Sequence, residues 1–290
     1  MTGRPRTLLL GLIGAGIEAS RSPAMHEEEG AAHGLRCIYQ RIDLVDLGLN
    51  AEALPELLTA AERMGFAGLN ITHPCKQDVV PLLTDLSGEA RAIGSVNTVV
   101  LERGRRIGHN TDRWGFRQSV IEHLPGAALG RIVQLGAGGA GAATAYAALE
   151  LGARHLIIVD AVHERALALA DRLAAMFSGR VYAEREVGTA LRGADGLIHA
   201  TPTGMAAHPG LALSASLLHA DLWVAEVVYF PLETELLRVA RRKGCRTLDG
   251  SGMAVHQAAE AFRLFTGLHA DAERMRGVFE SFDRPPERDQ

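Results

Sequence analysis

The sequence predicts an α/β protein of two lobes with a cleft between them, the second lobe a doubly wound parallel sheet. Three observations carry this. Short apolar runs alternate with longer helix-patterned segments, as expected for parallel strands covered by helices. A second series of such runs opens with a glycine-rich turn that the first lacks, so the two are different α/β domains rather than a repeat. The length of 290 residues, 47% of them hydrophobic and 22% charged, suits two cores better than one.

In the first series, apolar runs at residues 8–13, 37–42, 68–71 and 96–100 read as strands of a parallel sheet, and residues 51–64 carry a helical pattern. Arg4 and Arg6 ahead of the first run imitate the charged-then-apolar order of a secretory signal. The run is short, however, and residues 14–23 read better as a turn leaving a buried first strand. The second series begins at Arg131, with strands near 132–135, 156–159, 180–183, 196–200, 222–227 and 246–248, most of them separated by helical patterns. Residues 251–282 have helical periodicity (Val255, Ala258, Ala259, Phe262, Leu264, Phe265) and no strand signal, and are expected to pack back on the first domain. The domains are drawn as 1–112, completed by helices at 253–290, and 113–252.

A formal charge of -4 without a long Lys/Arg run argues against nucleic-acid and membrane-surface partners, which select for a concentrated basic face. No apolar stretch approaches the roughly 20 residues of a membrane helix. Cys37, Cys75 and Cys245 are odd in number and widely spaced, so neither a disulfide framework nor a CxxC metal site is available; no metal is expected, and a reducing cytoplasm fits. Monomer and homodimer are equally defensible.

Gly136, Gly138 and Gly141 form G-x-G-x-x-G directly after the run 132–135, and residues 142–151 read as a helix. Asp160 ends the next strand, about 20 residues on, which completes the context of a Rossmann dinucleotide-binding unit. The glycines let backbone approach a pyrophosphate, whose charge meets the N–H groups and dipole at the helix start. Gly136, Ala137, Gly138, Gly139 and Ala140 would line it, and Asp160 would accept from the adenosine ribose hydroxyls. A carboxylate there repels the extra phosphate of NADP, and Ala161, Val162 and His163 place no cation beside it, so NAD is favoured.

Ahead of this segment lie polar clusters where strands should end: Ser20-Arg21-Ser22-Pro23, Asn70-Ile71-Thr72-His73-Pro74-Cys75-Lys76, Ser95-Val96-Asn97-Thr98 and Gly108-His109-Asn110-Thr111-Asp112. Ligands of open α/β sheets bind at strand carboxyl ends, so the clusters can converge on one site. With A-T-P-x-G-M at 200–205, V-Y-x-P at 228–231 and D-G-x-x-M-x-x-x-Q-A at 249–258, these motifs run in order over nearly the whole chain. In this the sequence resembles the shikimate and quinate dehydrogenase family.

The resemblance implies a catalytic pair, Lys76 and Asp112. An alcohol oxidised by hydride transfer also loses a proton, which a Lys held beside a carboxylate can accept and return. Lys76 would be that acid/base group and Asp112 would orient it, with Asn97 and Thr72 fixing neighbouring oxygens. The resemblance further implies that Ser20, Ser22 and Tyr229 bind the substrate carboxylate, that Gln257 reaches a ring hydroxyl, and that Thr201, Pro202, Met205, Val228, Gly250 and Met253 line the nucleotide. NADP-using members resemble Asn-Arg-Thr after the second strand, a pattern absent here, whereas His73, His109 and Asp160 are most similar to the branch that accepts quinate as well as shikimate. Members favouring quinate often carry Thr where Ser22 stands. Each residue has a plainer reading: Lys76 as a solvated charge, Ser20 and Ser22 as caps of a helix from Pro23, Asn97 as a turn residue. For His73, His109 and His256 a structural role is preferred. An amino-analogue dehydrogenase and a non-catalytic cofactor-sensing regulator are the competing functions.

Overall fold

The computed structural model describes residues 7–283; Arg4 and Arg6 lie outside them, and the apolar run behind them is a central strand. The first elements are β1 (Thr7–Gly14), α1 (Ser22–Ala32), β2 (Arg36–Asp43), α2 (Leu54–Arg63), β3 (Gly68–Ile71), β4 (Asp85–Leu86), α3 (Gly88–Ile93), β5 (Thr98–Glu102) and β6 (Arg105–His109). There follow α4 (Thr111–His123), β7 (Arg131–Leu135), α5 (Gly139–Glu150), β8 (His155–Val159), α6 (His163–Ala174), β9 (Val181–Ala183), α7 (Val187–Ala190), β10 (Gly196–His199), β11 (Trp223–Glu226), α8 (Glu235–Arg242), β12 (Arg246–Leu248), α9 (Ser251–Thr266) and α10 (Ala272–Ser281). Among the described residues no helix is long and apolar enough to cross a membrane.

The chain divides into two compact units. One holds the described residues up to Ser87, Val96–Thr111 and the described residues from Gln257 onward; the other holds Gly88–Ser95 and Asp112–His256. Gly88–Ser95 groups with the second unit because α3 packs on α6, where Arg172 donates to the Ile93 carbonyl at 2.9 Å.

The first unit's sheet has the order β2-β1-β3-β5-β6-β4. It is mixed, which corrects the expectation of a parallel sheet: β1 pairs in parallel with β2 and β3, but β5 runs antiparallel to β3 and β6. The cause is local. Arg103 (φ 50°) and Gly104 (φ 76°) make a two-residue turn with both residues left-handed, the geometry that returns a strand on its neighbour. Leu8, Leu10 and Leu12 of β1 pack with Ala261 and Phe265 of α9.

The second unit's sheet runs β12-β11-β10-β7-β8-β9, every pairing parallel. This is the doubly wound order, with its switch point between β7 and β10. Both faces are apolar, as helices on each side require: Ile132, Leu156, Ile158 and Ile198 lie in the core that includes Ala142, Ala145 and Leu169, while Val133, Leu135, Ile157 and Leu197 lie in that formed with Leu236 and Leu237.

Candidate active site

At the carboxyl end of β7 the chain turns sharply into α5. Gly136 has φ 101°, and a Cβ there would stand 2.5 Å from the Ala200 carbonyl oxygen; a Cβ on Gly141 would stand 2.3 Å from the Gly136 oxygen. Glycine is required at both. At Gly138, by contrast, a Cβ would meet nothing within 4 Å, and its φ of -76° suits any residue. The space beside it is open, and α5 starts there with N–H groups that lack partners within the helix. A pyrophosphate fits this cradle. Gly139 and Ala140 form the first turn of α5, and Ala137 is buried.

Asp160, just past β8, ties this cradle to the next strand. Its carboxylate accepts from Ala137 N at 2.7 Å and from Val162 N at 2.8 Å. A carboxylate has about four acceptor positions, so capacity remains for ribose hydroxyls. Thr201 lies against the same turn, its methyl carbon 3.2 Å from the Cβ position of Gly136. Gly250 sits on the backbone of Val227 and Val228, Val228 and Met253 are buried, and Pro202, Met205 and Tyr229 are exposed.

In the first unit a buried polar chain runs along the strand ends. Tyr39 Oη donates to Asn70 Oδ1 (2.8 Å), Asn70 Nδ2 donates to Thr98 Oγ1 (3.0 Å), and Thr98 Oγ1 donates to Asn97 Oδ1 (3.2 Å). Asn97 Nδ2 then donates to Thr111 Oγ1 at 2.9 Å and to Gln257 Oε1 at 3.4 Å, while Thr111 N returns a bond to Asn97 Oδ1 at 2.7 Å. Asn97 and Gln257 are thus brought together. Lys76, half-buried in the turn after β3, belongs to the same neighbourhood through its carbonyl, which accepts from Val96 N at 2.9 Å. Burial pushes the adjoining Cys75 thiol up to about 11, with Asp78 adding to it, so the thiol stays neutral. Thr72 N donates to the Ile13 carbonyl, which sets the turn against the end of β1.

Asp43 anchors the loop that carries Ser20 and Ser22, accepting from Ile17 N at 2.6 Å and Gly16 N at 2.9 Å. Burial by itself would raise its pKa; the bonds from Ile17, Val45 and Gly16 outweigh that and hold the carboxyl below the usual range. The N-cap of α1 is Arg21, without a side-chain cap; Ser20 Oγ accepts from Ser22 N at 3.3 Å. Asp112 is buried in the first turn of α4. His256 pairs with Glu122 at 2.9 Å, His109 ends β6, and His73 is exposed.

Three supports were given no role by the sequence reading. Gln134, inside an apolar strand, donates to the Gly136 and Gly141 carbonyls and accepts from Thr144, clamping the glycine turn from below. Asn70 and Thr98 hold Asn97. His199 and Glu226 form a buried pair at the ends of β10 and β11. A polar residue within an apolar strand was the available signal in each case, because burial of such a group demands partners.

Fold and cradle define a dinucleotide-binding protein of the Rossmann class. Residues 12–99 match the family model of the shikimate dehydrogenase substrate binding domain, and residues 250–278 match that of the Shikimate 5'-dehydrogenase C-terminal domain. A Streptomyces avermitilis protein named shikimate dehydrogenase (NADP(+)) is 59% identical over 270 residues, 92% of this chain and 93% of its own length. A Corynebacterium glutamicum protein named quinate/shikimate dehydrogenase (NAD(+)) is 50% identical over 281 residues, covering 94% of this chain and 98% of its own. The solved structure of quinate dehydrogenase from Corynebacterium glutamicum in complex with NAD superposes with a TM-score of 0.88 at 50% identity, over 95% of this chain and 99% of that one. The chain belongs to the shikimate dehydrogenase family.

Proposed function

We propose that this chain catalyses the reversible NAD-linked oxidation of one ring hydroxyl of shikimate, giving 3-dehydroshikimate, or of quinate, giving 3-dehydroquinate, in the cytoplasm. The first unit takes the ring and the second the nucleotide. The observation that carries the reading is the bonded cluster of Asn97, Thr111 and Gln257 beside the turn of Lys76, a donor and acceptor set suited to a polyhydroxylated ring. The nucleotide, when bound, accepts or supplies the hydride. Lys76 takes the hydroxyl proton as the carbonyl forms and returns it in reduction, and Asp112 orients the Lys76 ammonium. Asn97, Thr72 and Gln257 hold neighbouring ring oxygens, and the hydroxyls of Ser20, Ser22 and Tyr229 donate to the ring's carboxylate. Thr201, Pro202, Met205, Val228, Gly250 and Met253 line the nucleotide beyond the cradle.

The choice of NAD rests on Asp160, whose fixed carboxylate opposes a 2′-phosphate, and on the absence of a cation at residues 161–163. Relatives named for NADP share 59% and 53% identity, so the deciding assay runs both nucleotides. Initial rates of reduced-nucleotide formation are measured with shikimate and with quinate, with NAD and with NADP, for the parent and for Lys76→Ala. Turnover with NAD that falls by about 100-fold or more in the variant is the expected result. Turnover with NADP alone overturns the cofactor choice, and none with either ring leaves the amino-analogue or regulatory function.

A further inference from the structure

His199 and Glu226 stand opposite each other in register on β10 and β11, both buried, with His199 Nδ1 at 2.9 Å from each Glu226 oxygen. The pair does not end there. Glu226 Oε1 also accepts from Val228 N at 3.0 Å, and Oε2 accepts from Thr234 Oγ1 at 3.0 Å. On the other side, His199 Nε2 lies 2.6 Å from Thr201 Oγ1, which itself accepts from Thr203 N at 3.3 Å.

One donor is fixed by elimination: a carboxylate only accepts, so Nδ1 carries the hydrogen towards Glu226, while the bond between Nε2 and Thr201 Oγ1 can run in either direction, a hydroxyl having both a hydrogen and two acceptor lone pairs. One chain of bonds therefore runs from Thr201 through His199 to Glu226 and out to Val228 and Thr234. It holds the loops that leave β10 and β11, and through the Thr201 methyl it touches the glycine turn that leaves β7. A nucleotide with its adenosine ribose at Asp160 and its pyrophosphate on the glycine turn would extend its other half, the nicotinamide, towards β10 and β11, which lie on the opposite side of β7 from β8.

We propose that His199 and Glu226 are positioning residues for the nicotinamide end of the nucleotide, acting through Thr201 and Val228. Sheet stability alone does not call for them, since two hydrogen-bonded buried side chains can be replaced together by apolar groups of the same shape at little loss. What the pair adds is orientation: it sets the rotamer of Thr201 and the direction of the Val228 peptide. The inference rests on the dehydrogenase reading above.

The test compares Thr201→Val, Glu226→Gln, His199→Leu and the double variant Glu226→Gln/Thr201→Val with the parent. NADH affinity is read from its fluorescence, the ring substrate's KM at saturating nucleotide, and melting temperature without ligand. Each single variant is expected to weaken NADH by about tenfold. The double variant should lose less than about twofold beyond the weaker-binding single, because both changes cut one chain of bonds, while the ring substrate's KM stays near the parent value. If His199→Leu does not fold, the Glu226 and Thr201 variants carry the same comparison. NADH affinity within about twofold of the parent in Glu226→Gln, or losses that simply add, overturns the proposal whatever the melting temperatures do. A parent that binds neither NADH nor NADPH overturns the dehydrogenase reading itself.

Discussion

His26 is shut away from solvent between Tyr39, Phe262 and Phe265, with ring centroids 4.9, 6.3 and 6.2 Å away, and its Nε2 has no hydrogen-bond partner. Burial drives its pKa down to about 4, against smaller opposing effects from the Ser22 carbonyl and Glu29. Because the unfolded chain takes up this proton near 6.5 and the folded chain only near 4, stability present above that window is lost as pH falls through it. The loss is on the order of 3 kcal/mol. His26→Phe should flatten the urea midpoint between those two pH values; equal slopes for parent and variant would refute the assignment. Asp160 offers a second residue-scale test: Asp160→Ala should improve the kcat/KM ratio of NADP over NAD by about tenfold or more, since it removes the charge facing a 2′-phosphate. An unchanged ratio places discrimination elsewhere.

Among the elements, the glycine turn separates architecture from ligand space. Gly138→Ala should leave the ligand-free melting temperature within about 1 °C of the parent, because its Cβ meets no protein atom within 4 Å. The same change should weaken NADH markedly by filling the pyrophosphate cradle. Gly141→Ala should destabilise by about 1–3 kcal/mol, its Cβ being driven into the Gly136 carbonyl at 2.3 Å. Calorimetry with NADH titration checks both; if the two variants behave alike, the cradle is misassigned. The C-terminal helix α10 is held differently. Arg21, buried within the S-R-S-P segment, donates to Asp283 at 2.6 and 2.7 Å and to the Phe279 carbonyl at 2.8 Å, and lies 4.4 Å over the Phe279 ring. Asp283 is half-exposed, so Asp283→Asn should cost only about 1 kcal/mol. Faster amide exchange confined to α10 is the expected signature, and unchanged exchange would show that the helix is held by its apolar face alone.

For the whole molecule, binding of nucleotide to the folded state alone must raise stability. NADH at a hundredfold its Kd adds about 2.7 kcal/mol, and the melting temperature should climb further with concentration. A flat melting curve across that range contradicts nucleotide binding by the folded chain.

The sequence determined the α/β class, the doubly wound second sheet and the nucleotide cradle, because each depends on short-range patterns: apolar runs, helical periodicity and glycines at fixed offsets from a strand. It also marked Asn97 and Gln257, residues 160 positions apart, through motifs rather than geometry. Only the tertiary structure decided that the first sheet is mixed, since the direction of Thr98–Glu102 beside Gly68–Ile71 is set by the path of the chain between them and not by either strand's own pattern, and Arg105–His109 is too polar to read as a strand until the turn at Arg103 and Gly104 folds it back on β5. The clamp of Gln134 on the glycine turn and the pairing of His199 with Glu226 were decided there as well. A lone polar residue in an apolar strand announces that partners are needed, but which atoms meet it depends on strand order and register, which local sequence does not encode.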